Sequence, residues 1–261
     1  MHIDLTDQYH QRESRIHHLD PRVKVVVTIF FILVVGLVRD GSWIAFGALF
    51  LGVLGYAFVS RLGLFYAVRR SIIAIPFLLA AAPLPFIIPG PALFSFPALN
   101  LTISEPGTIR FASILIRTFV AVQAGILLTA TTPFPDLVWA MCSLRIPRSL
   151  VAVIAFMYRY IFVLADEVLR LMRARAARSP EIPGKGKPSL LWRGRVTGSM
   201  VGSFFLRSLD RSERVYGAMA SRGYDGEIRT YSNFQMRRSD WISLIVISLL
   251  ILGSLTLMFL R

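Results

Sequence analysis

Arginines, rather than any catalytic set, are the residues of this chain whose placement points to chemistry. Two long amphipathic helical patterns, Ser149–Arg178 and Arg195–Arg222, each finish on an arginine flanked by small residues, Ala177-Arg178-Ser179 and Ser221-Arg222-Gly223. A cation at a helix C-terminus is favoured by the helix dipole by about 0.3–1 kcal/mol, so one such end reads as a capping charge. Two in one basic region read as a pair of prongs presented to a partner. Arg117 stands apart from these. It lies inside the apolar run Phe111–Ala130, where a charge in lipid marks either a functional site or an arginine bonded to carbonyls of the proline-broken run Ile72–Ile88.

Other chemistries find no residues to carry them. His2, His10, His17 and His18 cluster near the N-terminus without i,i+4 spacing, and read as solvated histidines rather than metal ligands. No G-x-x-x-x-G-K-[ST] loop is present, so the chain is not expected to bind ATP itself. No Ser/His/Asp, paired-carboxylate or cysteine-based set is apparent, and the expectation is no catalytic residue, no metal and no cofactor. The single Cys142 has no internal disulfide partner. A membrane enzyme acting on lipid or isoprenoid phosphates through Arg117 and the basic region is the rival reading; it would need carboxylates that are scarce here. A nucleic-acid binder would need exposed aromatics interleaved with its basic residues, and the basic region consists of amphipathic helices instead.

The elements that must position these arginines follow from composition. Of 261 residues, 55% are apolar and only 17% charged, with a net charge of +14. The apolar residues fall in runs of roughly 16–20, the length that crosses a hydrocarbon core. The runs are Val23–Val38, Trp43–Val59, Ile72–Ile88, Phe111–Ala130 and Trp241–Leu260, the third broken by Pro76, Pro83 and Pro85. Cytoplasmic loops are rich in Lys and Arg. With the N-terminus inside, all of the 29 Lys and Arg face the cytoplasm except Arg39, Arg110 and Arg261 outside and Arg117 within a span. The Pro/Ser-rich stretch Pro89–Arg110 is then outside, and everything from about Thr131 to Asp240 inside. No secretory leader is expected ahead of the first span.

Local signals place the element ends. Asp20 is expected to cap the first span, with Pro21 at its first position. Arg22 and Lys24 are expected to snorkel to inner headgroups, so Asp20, Pro21, Arg22 and Lys24 form the membrane entry. Asp136 reads as a helix-start residue, Pro147 starts the first amphipathic helix, and Gly223 ends the second in a left-handed cap. Ser179–Arg193 is a flexible link. Asp166–Arg170, Glu167–Arg170 and Asp210–Arg214 have ion-pair spacing. Gly198 and Gly202 make a G-x-x-x-G spacing and are expected to pack the second amphipathic helix against the first. The apolar half of the first, Leu150–Leu164, would serve as a sixth span only at the cost of moving the basic region outside, so a helix at the cytoplasmic face is preferred.

Two stretches resemble a known family. His18-Leu19-Asp20-Pro21-Arg22-Val23-Lys24 is similar to the entry motif of the transmembrane T components of energy-coupling factor transporters. Phe205–Tyr216 with Ala218–Gly226 resembles the CbiQ, cobalt-type branch, and the resemblance covers essentially the whole chain. It implies an all-α polytopic membrane protein of about five spans plus a cytoplasmic pair of long amphipathic coupling helices. The implied divisions are 1–22 cytoplasmic, 23–130 with four spans, 131–240 the coupling-helix domain and 241–261 the last span. In that family two Ala-Arg-Gly-like triplets dock on two ATP-binding subunits. Carried over, the docking residues are Arg178 and Arg222 with Ala177, Ser179, Ser221 and Gly223. Ser179 replaces a frequent Gly and Ser221 a frequent Ala, and both keep a small residue. The implied partners are those two ATPases, a substrate-binding membrane subunit that captures cobalt or nickel, and the bilayer, with ATP held by the partners.

Overall fold

The computed structural model describes residues 14, 16–96, 101–178, 189–226, 234, 236, 240–245, 248, 249, 253 and 256. Ser179, His2, His10, the link 179–188 and much of the 241–260 run lie outside the described residues. The described residues fall into two compact units, one drawn from Asp7–Ala140 and Ser232–Arg261, the other from Met141–Tyr231.

The first unit is built on α1 (Pro21–Leu37), α2 (Trp43–Val59) and α6 (Glu105–Thr131). Asp20 caps α1 as expected: its carboxylate accepts the Arg22 N–H at 2.9 Å, and Pro21 sits at the first turn. Each of the three helices contributes one stripe at helical spacing to a shared core: Phe31, Val34 and Val35 from α1; Phe46, Leu49, Val53 and Ala57 from α2; Val120, Ala124 and Leu127 from α6. The opposite faces of α1 and α2 are equally apolar and open, with Leu37 70% and Phe58 73% exposed. A helix that is apolar all round yet buries one stripe is suited to lipid on its other faces. By length and composition α6 and α8 (Arg148–Arg178) can cross a bilayer, and α2 is a shorter apolar helix.

The third apolar run is broken, as its prolines dictate. After α3 (Leu64–Arg70), the run divides into a 3-10 turn (Ser71–Ala74), α4 (Ile75–Ala80) and α5 (Leu84–Ile87). The Pro/Ser-rich stretch Pro89–Arg110 holds an antiparallel strand pair, β1 (Ala92–Phe96) and β2 (Leu101–Ser104), so the fold departs from all-helical there. It also holds the start of α6, which begins six residues before the apolar run. The reason is local: the Ser104 hydroxyl accepts the Gly107 N–H at 3.2 Å, with Pro106 in the first turn. Gly107 is required by closeness. A Cβ there would lie 2.8 Å from the Leu84 carbonyl oxygen and 2.8 Å from the Pro85 Cα.

α7 (Phe134–Ser143) follows α6 after Thr132 and Pro133. The second unit is the helix pair α8 and α9 (Leu190–Ala220), each 31 residues long. Ser189 caps α9, its hydroxyl accepting the Trp192 N–H at 3.3 Å.

Candidate coupling surface

α8 and α9 run antiparallel, as three contacts require. Arg175 donates to the Thr197 hydroxyl at 3.2 Å, Arg207 reaches Glu167 at 3.3 Å, and the rings of Phe156 and Tyr224 meet edge to face at 6.1 Å. The pairing follows from the pattern of α9. Val196, Met200, Phe204, Ser208, Arg211, Val215 and Met219 recur every three or four residues and are its partly buried stripe, while no residue of α9 is fully buried.

Gly198 and Gly202 lie on the other side. A Cβ added at either meets nothing within 4 Å, so neither packs α9 against α8. This corrects the expectation from their spacing. The glycines fall two residues out of phase with the inward stripe, about 200° around a helix of 3.6 residues per turn. Around them Val201, Phe205, Leu206 and Leu209 are exposed, so the glycines belong to an open apolar face.

The two arginine ends are differently built. Arg178 is the last residue of α8, exposed, with Ala177 exposed beside it. Arg222 lies beyond α9 in a turn closed by Gly223 at φ +81°, the left-handed conformation expected there. The Gly223 N–H donates to the Ala220 carbonyl and the Tyr224 N–H to the Met219 carbonyl, both at 3.0 Å. These are the paired bonds of a Schellman cap, which satisfy carbonyls the helix end would leave open. Ser221 and Arg222 are exposed on that turn, and the Tyr224 ring tethers it to α8 through Phe156.

The ion pairs differ in part from those read off spacing. Arg170 binds Glu167 at 2.7 Å, the i,i+3 choice, rather than Asp166. Glu167 also takes Arg207 from the opposite helix, a cross-helix pair that spacing along one helix cannot reveal. Arg214 turns its Nε to the Asp210 backbone carbonyl at 3.3 Å instead of the carboxylate.

In the first unit, Arg117 joins α6 to the turn between α1 and α2. Its guanidinium donates to the Val38 carbonyl, at the C-cap of α1, at 2.6 Å and to the Asp40 carboxylate at 3.0 Å. The expected partner was the broken third run; the real one is the α1–α2 turn, which Ser113 also holds by accepting the Gly41 N–H at 3.0 Å. Arg110 reaches the second Asp40 oxygen at 3.5 Å.

The membrane-entry residues are likewise turned inward. Lys24 does not snorkel: it is 4% exposed, and its ammonium donates to the His17 carbonyl at 3.1 Å and the Thr131 carbonyl at 3.2 Å. Arg22 stacks over Trp139 of α7 at 4.2 Å, and Trp139 in turn meets Phe234 with ring centres 5.0 Å apart. Asp20 and Asp240 are both buried, joined by the Asp20 N–H donating to Asp240 at 3.2 Å. Asp136 opens α7 as expected, in its first turn. Burial raises its pKa above the ordinary aspartate value, partly offset by the Lys24 charge. Nothing in the sequence marked Asp240 as part of this knot. Its place next to the last apolar run is the one signal that could have.

Among the described residues no group of three or more His, Cys, Asp or Glu is placed to hold a metal ion.

The family described as Cobalt transport protein, CbiQ, matches residues 12–232. The energy-coupling factor transporter transmembrane protein EcfT of Thermosediminibacter oceani is 27% identical over 95% of each chain. Its namesake from Lactococcus lactis is 25% identical over 97% of each. The cobalt transport protein CbiQ of Rhodobacter capsulatus is 27% identical over 59% of this chain and 61% of its own length. These are transporter components rather than enzymes, which sets aside the rival reading of a membrane phosphate enzyme, and the apolar helices fit a protein of the membrane. The chain belongs to the CbiQ family of cobalt transport proteins.

Proposed function

We propose that this chain is the membrane scaffold and coupling subunit of an energy-coupling-factor-type importer for cobalt or nickel. Two ATPase subunits bind its arginine ends, Arg178 with Ala177 and Ser179, and Arg222 with Ser221 and Gly223. ATP and its hydrolysis belong to those partners, and this chain does no chemistry. The carrying observation is the pair of exposed arginines at the ends of two 31-residue helices tied to each other by Glu167–Arg207 and Phe156–Tyr224. Ends joined by a stiff pair can pass a displacement of the ATPases along some tens of ångströms of helix, at about 1.5 Å per residue.

The substrate-binding membrane subunit takes the open face of α9, where Gly198 and Gly202 let another helix approach closely beside Phe205 and Leu206. In this reading the chain is multi-pass with about five spans and a cytoplasmic N-terminus. Residues 1–22 and 131–240 are inside, 23–130 holds four spans and 241–261 the last. The basic-residue distribution supports that orientation.

Purification in mild detergent tests the reading. Two ATPase subunits and a small membrane protein should co-purify with the tagged chain. Isolation without ATPases from cells that express them would refute it.

A further inference from the structure

A groove of about 490 Å³ opens between α8 and α9, and its charge is unbalanced. Arg207, Arg211 and Arg214 line it from α9, facing Glu167 and Leu164 of α8. Glu167 is the one carboxylate in the lining, and it is engaged by Arg170 and Arg207. Among the described residues neither Arg211 nor Arg214 is in an ion pair. Three arginines lining one groove beside a single shared carboxylate leave an excess of N–H donors, which suits an anion with several acceptor oxygens such as a phosphate.

The other wall is apolar. Val215 and Ala218 face Leu164 there. From Leu164 an apolar strip continues down the same face of α8 through Ile161, Met157, Val153 and Leu150, at spacings of three and four residues. These are 46%, 61%, 66% and 51% exposed. From Leu150 to Leu164, at about 1.5 Å of rise per residue, that strip is about 21 Å long. A phosphate mouth leading onto an apolar track fits an amphiphile better than a free ion. An acidic peptide would satisfy the arginines and leave the track uncovered.

We propose that the groove seats the phosphate of an anionic phospholipid on Arg207, Arg211 and Arg214, with an acyl chain along the Leu164–Leu150 strip. Glu167 is placed to accept hydrogen bonds from headgroup hydroxyls, which favours a glycerol headgroup. The inference rests on the reading that this helix pair lies at the cytoplasmic membrane face.

The test uses the full-length chain in detergent, delipidated and offered equal amounts of dioleoyl-phosphatidylglycerol and dioleoyl-phosphatidylcholine. Retained lipid is read by native mass spectrometry. Wild type should retain the glycerol lipid by about tenfold over the choline lipid. Arg207→Gln/Arg211→Gln/Arg214→Gln should lose that preference, and Arg211→Gln alone should lose part of it. Arg173→Gln/Arg193→Gln/Arg195→Gln, with the same charge change outside the groove, should keep it. Met157→Ser/Ile161→Ser should weaken lipid retention, and millimolar inorganic phosphate or glycerol 3-phosphate should not displace the lipid. Equal retention by the groove variant and the wild type would overturn the proposal. Displacement by inorganic phosphate would reassign the groove to a free anion, and displacement by an acidic peptide would reassign it to a protein partner. No ATPase enters the assay, so loss of the docking reading would leave its result unaffected.

Discussion

The backbone N–H of Asp20 donates to the carboxylate of Asp240 at 3.2 Å, across 220 residues of sequence, and both side chains are buried. One residue caps the first apolar helix and the other lies in the helical stretch 240–245, so the bond ties the start of α1 to that stretch. Asp240→Ala should lower stability by about 1–3 kcal/mol, the cost of leaving a buried donor unsatisfied. Asp240→Asn, which keeps an acceptor oxygen, should lose less. Thermal unfolding of the purified chain, with each variant against wild type, reads both.

Arg117 makes a parallel case at the α1–α2 turn. Arg117→Gln should destabilise by about 1–3 kcal/mol, because hydrogen bonds to the Val38 carbonyl and the Asp40 carboxylate go together. A double-mutant cycle with Asp40→Asn should show coupling. Uptake per folded molecule should stay near wild type. A loss of uptake without a loss of stability would return Arg117 to a role in transport.

The glycines divide into two classes that substitution separates. Gly107→Ala should cost about 1–3 kcal/mol, since its Cβ would press on the backbone of Leu84 and Pro85. Gly198→Ala and Gly202→Ala sit on an open helical face and should each stabilise α9 by up to about 1 kcal/mol. In the proposed assembly, larger residues at these two positions should expel the proposed substrate-binding subunit while leaving α8 and α9 paired. Circular dichroism melts and co-purification distinguish the two effects.

Asp136 gives a pH signature. Burial lifts its pKa, so the folded state holds the proton more tightly than the unfolded chain. Its favourable contribution is present below the ordinary aspartate value of about 4 and is lost as pH rises through the raised folded value. Asp136→Asn removes the titration. The melting temperature of wild type should therefore fall relative to that variant as pH rises from about 4. A constant difference across that range would contradict the assignment.

Much of this was legible beforehand because it is local. Asp20 and Pro21 declare the start of α1, the prolines break the third run, and Gly223 marks the left-handed cap after α9. What spacing could not reach is which face meets which neighbour. Gly198 and Gly202 have the right separation for close packing, yet face away from α8. Lys24 has the sequence position of a snorkelling lysine, but the Thr131 carbonyl, 107 residues on, captures it. Arg117 was visible as costly, while its partner Asp40 was hidden in a four-residue turn. The strand pair β1 and β2 leaves little trace in the sequence, because its strands are short and sit among prolines.

Docking of Arg178 and Arg222 on the ATPase subunits is the proposed coupling contact. Its most direct measurement is the yield of ATPase subunits co-purified with Arg178→Glu/Arg222→Glu, set beside each single variant and wild type. Truncating one partner of a desolvated charge pair costs about 2–5 kcal/mol. Each single reversal should therefore weaken association, and the double should nearly abolish it while the chain remains folded in the membrane. Full ATPase recovery with the folded double variant would contradict docking through these two arginines.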